Sequence, residues 1–512
     1  MPEYIRALVV ILVLASVVFG FAKAPATAVA ISTEDFVRRR NVWVCITLAG
    51  FLSQNYWIFC AIVSLLIFNA AKKESNKIAM FFFLVLVLPQ IRVEIPGFAG
   101  IRYFFEIDYV RILTAIVLFP VCVKARKLAV ASGAKANLPD KILATYIVLN
   151  LVLQAQHDMV TGVIRSMLNW GIDAVVPYYA ISRSLKDLKS FRDVLMSFAI
   201  AAMVVSLVGA FEFARHWILY SSAGDALGVE WNPGYLARGD LLRASGTSGQ
   251  SIVFGYVLTI AIGFFLFLQK SVSNFKLYAG GMLLLVVGVI SPLSRGPWVG
   301  LIVILFVFTV TGAKPLQRIS KFVLFAVPAS VLLTLSEYGQ KVIDYLPFIG
   351  SVDKGNVTYR QNLFDKSLQI ILDNPFFGST DYLIHLEELR QGQGIIDLVN
   401  TFLIVALNTG FVGLGLYVLF FLLILLAAFR RMRLAPLDSE LRALGRSMLA
   451  VLIGVLVIIG TVSPINHVPL LLWSVAAMCL AFGLLKQQES SVLEKQVFQH
   501  GPHQKTSDPR DQ

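Results

Sequence analysis

Charge is what this 512-residue chain has little of: 15% of its residues are Asp, Glu, Lys or Arg, against about 25% in an average globular domain. Acidic residues are the scarcer sign, 31 against 44 basic ones, for a net charge of +13. Cysteine is scarce as well. The four present (Cys45, Cys60, Cys122, Cys479) lie in apolar segments without metal-ligand spacing, which excludes a disulfide framework and a thiolate metal cluster. The six histidines are scattered, and neither a metal nor a cofactor is implied. No internal repeat is clear enough to claim the two related halves common in secondary transporters.

What replaces charge is apolar surface. Hydrophobic residues make up 57% of the chain and the mean hydropathy is +0.74. A membrane-spanning helix needs about 20 mostly apolar residues, and twelve or more stretches qualify, clearest at 194–213, 250–268, 297–312, 402–429, 447–463 and 468–485. Hydrocarbon offers no partner to a free N–H or C=O, so such spans must be helical. The expectation is an all-α polytopic membrane protein of about 12–14 transmembrane helices, with a large, partly helical periplasmic loop before the last three.

The positive charge is placed, not spread. Lys72/Lys73/Lys77, Lys124/Arg126/Lys127, Arg183/Lys186/Lys189/Arg192, Lys270/Lys276, Lys314/Arg318/Lys321 and Arg430/Arg431/Arg433/Arg442/Arg446 occupy every second loop. That is the positive-inside pattern. It explains the basic balance through membrane lipids rather than nucleic acid. Counted back from a cytoplasmic tail, the segments 91–108, 214–249, 291–296 and 336–399 face outward. The first 70 residues resist this scheme, because a cytoplasmic start would put Arg38, Arg39 and Arg40 outside. Two half-helices broken at Ser53-Gln54-Asn55 would resolve the conflict. Residues 1–26 also look like a signal peptide, although an uncleaved span is the favoured reading. The chain then divides into N-terminal helices (1–190), central helices (191–335, with the outer loop 214–249), the large loop (336–399), C-terminal helices (400–485) and a disordered cytoplasmic tail (486–512).

The stretch 336–399 is far longer than an ordinary connection, and loops of roughly 60 residues are functional or disordered. Phe364, Leu368, Ile371, Phe376 and Phe377 recur in it at helix-like spacing, which argues for a folded element with apolar anchors. Three outward arginines run against the topology rule: Arg243 in LLRASGTSGQS, Arg295 in SPLSRGPWVG and Arg360 in YRQNLFDKSLQ. A guanidinium group matches phosphate oxygens two at a time, although interfacial snorkelling explains a single arginine equally well. Ser, Thr and Gly between Arg243 and the next span could cap a helix and receive an anion. Pro292 and Pro297 bracket the Ser294-Arg295-Gly296 turn. The pair Asn374-Pro375 ends the amphipathic helix before it. Acid–base candidates in the loop are His385, Glu387, Glu388 and Asp397, each of which could equally be part of a solvated face.

Taken in order, Arg-Ala-Ser-Gly, Ser-Arg-Gly-Pro-Trp, an arginine with an amphipathic helix, Asn-Pro-Phe-Phe-Gly, and Asn400-Thr401-Phe402-Leu403 with Gly410 and Gly413 resemble the bacterial O-antigen ligase and polysaccharide polymerase superfamily over residues 190–430. The resemblance implies a multi-pass, metal-independent glycosyltransferase of the inner membrane that uses glycans carried on undecaprenyl diphosphate. It carries a pyrophosphate-contacting role to Arg243, Arg295 and Arg360. Membrane lipids, chain-length regulators and export proteins are the other implied partners. Ligases of the superfamily usually have a histidine where Val399 stands, which shifts weight to a repeat-unit polymerase for an exopolysaccharide, capsule or O-antigen. A ligase is the nearest rival. A lipid-linked glycan flippase is the rival from another class, resting on the polar patch Gln154, Gln156, His157, Asp158 and Arg165.

Overall fold

The computed structural model describes residues 1–98, 101–317, 320, 324, 354–379, 381–390 and 396–485. The expected disordered tail and the parts 336–353, 380 and 391–395 of the long polar stretch lie outside the described residues. In chain order the first helices are α1 (Glu3–Val29), α2 (Thr33–Leu52), α3 (Tyr56–Lys73), α4 (Lys77–Leu84), α5 (Tyr109–Leu113), α6 (Phe119–Ala131) and α7 (Leu138–Ala155). They are followed by α8 (Val160–Trp170), α9 (Val176–Ser184), α10 (Leu188–Arg215), α11 (Ala223–Leu227), α12 (Ser251–Leu268), α13 (Phe275–Ile290) and α14 (Arg295–Val310). The last are α15 (Lys354–Asp373), α16 (Tyr382–His385), α17 (Thr401–Leu434), α18 (Glu440–Ile459) and α19 (His467–Gly483). Two short antiparallel hairpins are the only sheet among the described residues: β1 (Val93–Pro96) with β2 (Tyr103–Ile107), and β3 (Ala237–Arg238) with β4 (Leu241–Leu242).

Among the described residues seven helices are long and apolar enough to cross a membrane: α1, α3, α7, α10, α12, α17 and α18. Three shorter apolar helices, α13, α14 and α19, stand with them. The chain is a multi-pass membrane protein. Its centre is α10 and α12, buried on nearly every face, as a helix apolar all round must be. Other apolar stretches are built from shorter pieces. A π-helical turn at Thr114–Leu118 joins α5 to α6, and a second at Gly171–Val175 joins α8 to α9. Such turns favour functional sites.

Side-chain contacts sort the loops to two ends of the bundle. At the basic end Arg38 donates to the carbonyl of Lys73, Lys270 to that of Asp438, and Arg192 pairs with Glu440. At the opposite end, the one expected to face outward, Asn466 Nδ2 donates to Ser248 O at 2.9 Å and Thr401 Oγ1 to Val462 O at 2.9 Å. The start of α1 is at that same end, with Glu3 accepting from Trp217 Nε1 at 2.9 Å. This corrects the expectation for the first 70 residues. The segment 42–68 is not a pair of half-helices: α2 and α3 are whole helices of 20 and 18 residues that turn at Ser53-Gln54-Asn55. Arg38, Arg39 and Arg40 thereby reach the basic end because the chain starts at the other one. A second shift is at α18, which begins at Glu440 rather than near 447. Ser439 caps it by accepting from Arg442 N at 3.2 Å, and Arg446 donates to Phe308 O, so both arginines fit inside the helix.

One buried ion cluster locks the basic end. The fully buried Arg39 guanidinium donates to Glu74 Oε1 (2.7 Å), Asp193 Oδ1 (2.6 Å) and Ser197 Oγ (2.7 Å), joining α2 to α10 and to the turn after α3. Removing one partner of a buried pair is costly because the other is left unpaired. Arg39→Ala is therefore expected to lose about 3–5 kcal/mol of stability, measured as the detergent-solubilised protein's thermal midpoint, with Arg40→Ala, on a half-buried residue outside this cluster, near wild type.

Candidate functional site

The site is built on the end of α10. Glu212 is fully buried there and accepts from three backbone N–H groups: Leu219 (3.0 Å), Ser245 (3.1 Å) and Gly246 (2.9 Å). A carboxylate in that position is buried and engaged by three backbone donors, so it shapes the Arg-Ala-Ser-Gly segment. The shaped segment then grips the turn between α13 and α14. Ala244 N donates to Ser291 O at 3.1 Å, and Arg243 donates from Nε to Pro292 O (3.2 Å) and from Nη2 to Ser294 Oγ (3.0 Å). Arg238, on the adjacent hairpin, donates to Leu293 O at 2.5 Å. Leu293 has φ 47°, a left-handed conformation costing a non-glycine residue about 1–3 kcal/mol, and these bonds hold it there. The turn so fixed delivers Arg295, half-buried, as the first residue of α14.

The second half of the site comes from α15. Its packed face is Leu363, Ser367, Ile370 and Ile371, set against Leu403, Ala406 and Leu407 of α17. Of the anchors expected from spacing, Ile371 is buried, whereas Phe364, Leu368, Phe376 and Phe377 are exposed. The helix is apolar on two faces, and spacing by itself does not say which of them meets the bundle. At the end of α15 the chain enters a break in α17. Gly410 has φ 61° and ψ −164°; Phe411 N donates to Pro375 O (2.7 Å), Val412 N to Phe376 O (3.2 Å) and Ser379 N to Leu407 O (2.8 Å). The Asn-Pro-Phe-Phe-Gly motif thus supplies the backbone partners that the broken helix lacks.

This docking also fixes the place of Arg360, which stands on α15. Crowding by surrounding protein, with the like charge of Arg238, draws the Arg360 guanidinium below its ordinary pKa, and Asp397 pulls the other way. Asp397 N donates to Tyr359 Oη at 3.1 Å, and its Oδ1 accepts from Ser463 Oγ at 3.1 Å. Arg243 is thus anchored on the turn that carries Arg295, while Arg360 feels the charges of Asp397 and of Arg238, which is anchored on that same turn. Of the four acid–base candidates, Asp397 shares this region. His385 is exposed, Glu387 pairs with Arg390, and Glu388 pairs with Lys366; those partners hold both glutamates below the usual carboxylate range. Arg238 and Glu212 escaped the sequence reading. Arg238 carried the same signal as the other three, an arginine on the outward side, whereas Glu212 sits at the end of an apolar span with nothing to mark it. The polar patch at 154–165 forms a turn between α7 and α8, where Gln154 donates to Asp158 and Arg165 to Tyr103 O.

Residues 279–418 match the family model described as O-antigen ligase. Over this segment the chain is similar to that family. The matched segment runs from α13 through the Gly410 break and contains Arg295, Arg360 and Asp397. No curated protein matches the chain.

The glycine junction gives a direct test. A Cβ on Gly378 would stand 2.3 Å from Leu407 O, and one on Gly410 2.4 Å from Phe376 C and O. The left-handed backbone costs about 1–2 kcal/mol for any L residue, and the backbone clash adds to it. Gly378→Ala and Gly410→Ala are expected to lower the thermal midpoint and abolish activity. Gly415→Ala, whose Cβ meets nothing within 4 Å on the same helix, is expected to do neither.

Proposed function

We propose that the protein is a polymerase: a metal-independent glycosyltransferase of the bacterial inner membrane that joins oligosaccharide repeats carried on undecaprenyl diphosphate into an exopolysaccharide, capsule or O-antigen. The observation that carries the reading is the convergence of outward arginines on the Pro292–Arg295 turn. A diphosphate leaving group develops charge as its bond to the sugar breaks. Fixed guanidinium groups stabilise that charge more in the transition state than in the ground state. Arg238 and Arg243 also pin the turn through its carbonyls, and Arg243, Arg295 and Arg360 are assigned to the diphosphate.

In the reaction, an acceptor hydroxyl oxygen attacks the anomeric carbon. The bond from that carbon to the phosphate oxygen breaks, and the lipid diphosphate leaves with the electron pair. The hydroxyl proton passes to Asp397, a carboxylate oriented by Ser463 and placed beside Arg360. Val399, at the place where ligases of the superfamily usually have a histidine, favours the polymerase. The description of the matched family favours a ligase that transfers finished chains to a surface acceptor.

Removing one such donor from a preorganised site slows turnover roughly 10²–10³-fold. Arg295→Ala and Arg360→Ala are expected to do so, and lysine is expected to rescue poorly because it lacks the two-pronged fork. The measurement is laddered polymer formed from a lipid-linked repeat by purified protein. Normal long polymer in both variants would refute the proposal. A deletion strain distinguishes the two readings: single repeats on their lipid accumulate if a polymerase is lost, long polymer on its lipid if a ligase is lost. Asp397→Asn is expected to slow the same assay about 10²–10⁴-fold, while His385→Ala, Glu387→Gln and Glu388→Gln stay within a few-fold of wild type.

A further inference from the structure

A cavity of about 370 Å³ opens between α7, α8, α17 and α19, within the ~300–1,000 Å³ range of small-molecule sites. Its rim includes Thr401 and Pro464; Pro464 follows Ser463, the residue that orients Asp397. Inside, four aromatic side chains form a closed ring. Tyr146 meets Trp170 at 5.7 Å between centroids, Trp170 meets Trp473 at 6.0 Å, Trp473 meets Tyr417 at 6.1 Å, and Tyr417 returns to Tyr146 at 5.5 Å. The Tyr417 hydroxyl is buried and has no hydrogen-bond partner among the described residues.

The polar lining is unusual for a bundle interior. Asn150, Ser166, Asn169 and Asp173 all border the cavity. Along α8 and the π-helical turn that follows it, the spacing 166, 169, 170, 173 puts one face toward it, while Ile164, Met167 and Leu168 are exposed on the other. Asp173 lies in the π-helical turn and is held by Arg111 at 2.7 Å while staying 30% exposed. Polar side chains among spanning helices are expensive and mark function. Aromatic faces combined with amide, hydroxyl and carboxylate groups suit a ligand with both C–H faces and a rim of hydroxyls.

We infer that this cavity is a subsite for a neutral sugar ring of the glycan, placed so that a bound ring leads toward Asp397. The inference rests on the glycan-transfer reading above for its purpose. An isoprenoid chain, the other molecule brought to such a site, would need no amide or carboxylate in its path.

The test uses the full chain in detergent micelles and follows tryptophan emission, since Trp170 and Trp473 line the cavity. The probes are methyl pyranosides of glucose, galactose, mannose, rhamnose and N-acetylglucosamine, with farnesol and farnesyl diphosphate. At least one glycoside is expected to shift the emission saturably. Asn150→Ala and Asn169→Ala are expected to weaken it tenfold or more without moving the thermal midpoint, and Arg360→Ala is expected to leave it unchanged. Competition between glycoside and farnesol in the wild type needs no variant, and farnesol is expected not to compete. The inference is overturned if no glycoside shifts the emission, if farnesol displaces the glycoside, or if both folded Asn variants bind like wild type. Glycoside binding together with no farnesyl diphosphate binding in the wild type upholds the cavity assignment and fails the diphosphate reading instead.

Discussion

A helix that stops inside an apolar bundle must hand its unpaired backbone groups to something, because hydrocarbon accepts none of them. In this protein the something is the loop after α15. Pro375, Phe376 and Ser379 exchange hydrogen bonds with the two sides of the Gly410 break. That exchange ties an extramembrane helix to a spanning one through main-chain contacts, which side-chain variation does not loosen. The position of Arg360 follows from it, since Arg360 stands on the helix that the junction secures. Two glycines are needed because the two backbones approach closer than any Cβ allows.

The same economy recurs on the other side of the site. Glu212 spends a buried carboxylate on three backbone N–H groups, and Arg243 and Arg238 spend guanidinium donors on carbonyls of one turn. Each is a charged group at the end of a span used as a structural pin. The consequence is a division of labour among residues of one type: some arginines hold the turn, and others are presented by it. Charge held this way needs no reorganisation when an anion arrives, which is the condition under which electrostatic stabilisation is largest.

The first helices show how a topology conflict is settled by packing. Arg38, Arg39 and Arg40 could not be reconciled with a start at the basic end, and in the fold α1 starts at the opposite end of the bundle. Arg39 then finds Glu74 and Asp193 at the basic end, where its burial is matched by opposite charge. The π-helical turns are a second case. Each inserts a residue into an otherwise regular helix, and one of them aims Asp173 at a cavity that no local pattern announces.

The all-helical membrane architecture, the spans near 194–213, 250–268 and 402–429, and the alternation of basic loops were legible in the sequence. They depend on composition and on charge summed over short windows, and the bilayer reads both locally. Arg243, Arg295 and Arg360 were legible as exceptions to that alternation, and the Asn-Pro-Phe-Phe-Gly motif as a helix stop. What Glu212 pins, which face of α15 packs, and which of His385, Glu387, Glu388 and Asp397 shares the arginines' region were decided only in three dimensions. Those outcomes depend on contacts such as Ser463 with Asp397, 66 residues apart, and no periodicity along the chain encodes a partner at that distance.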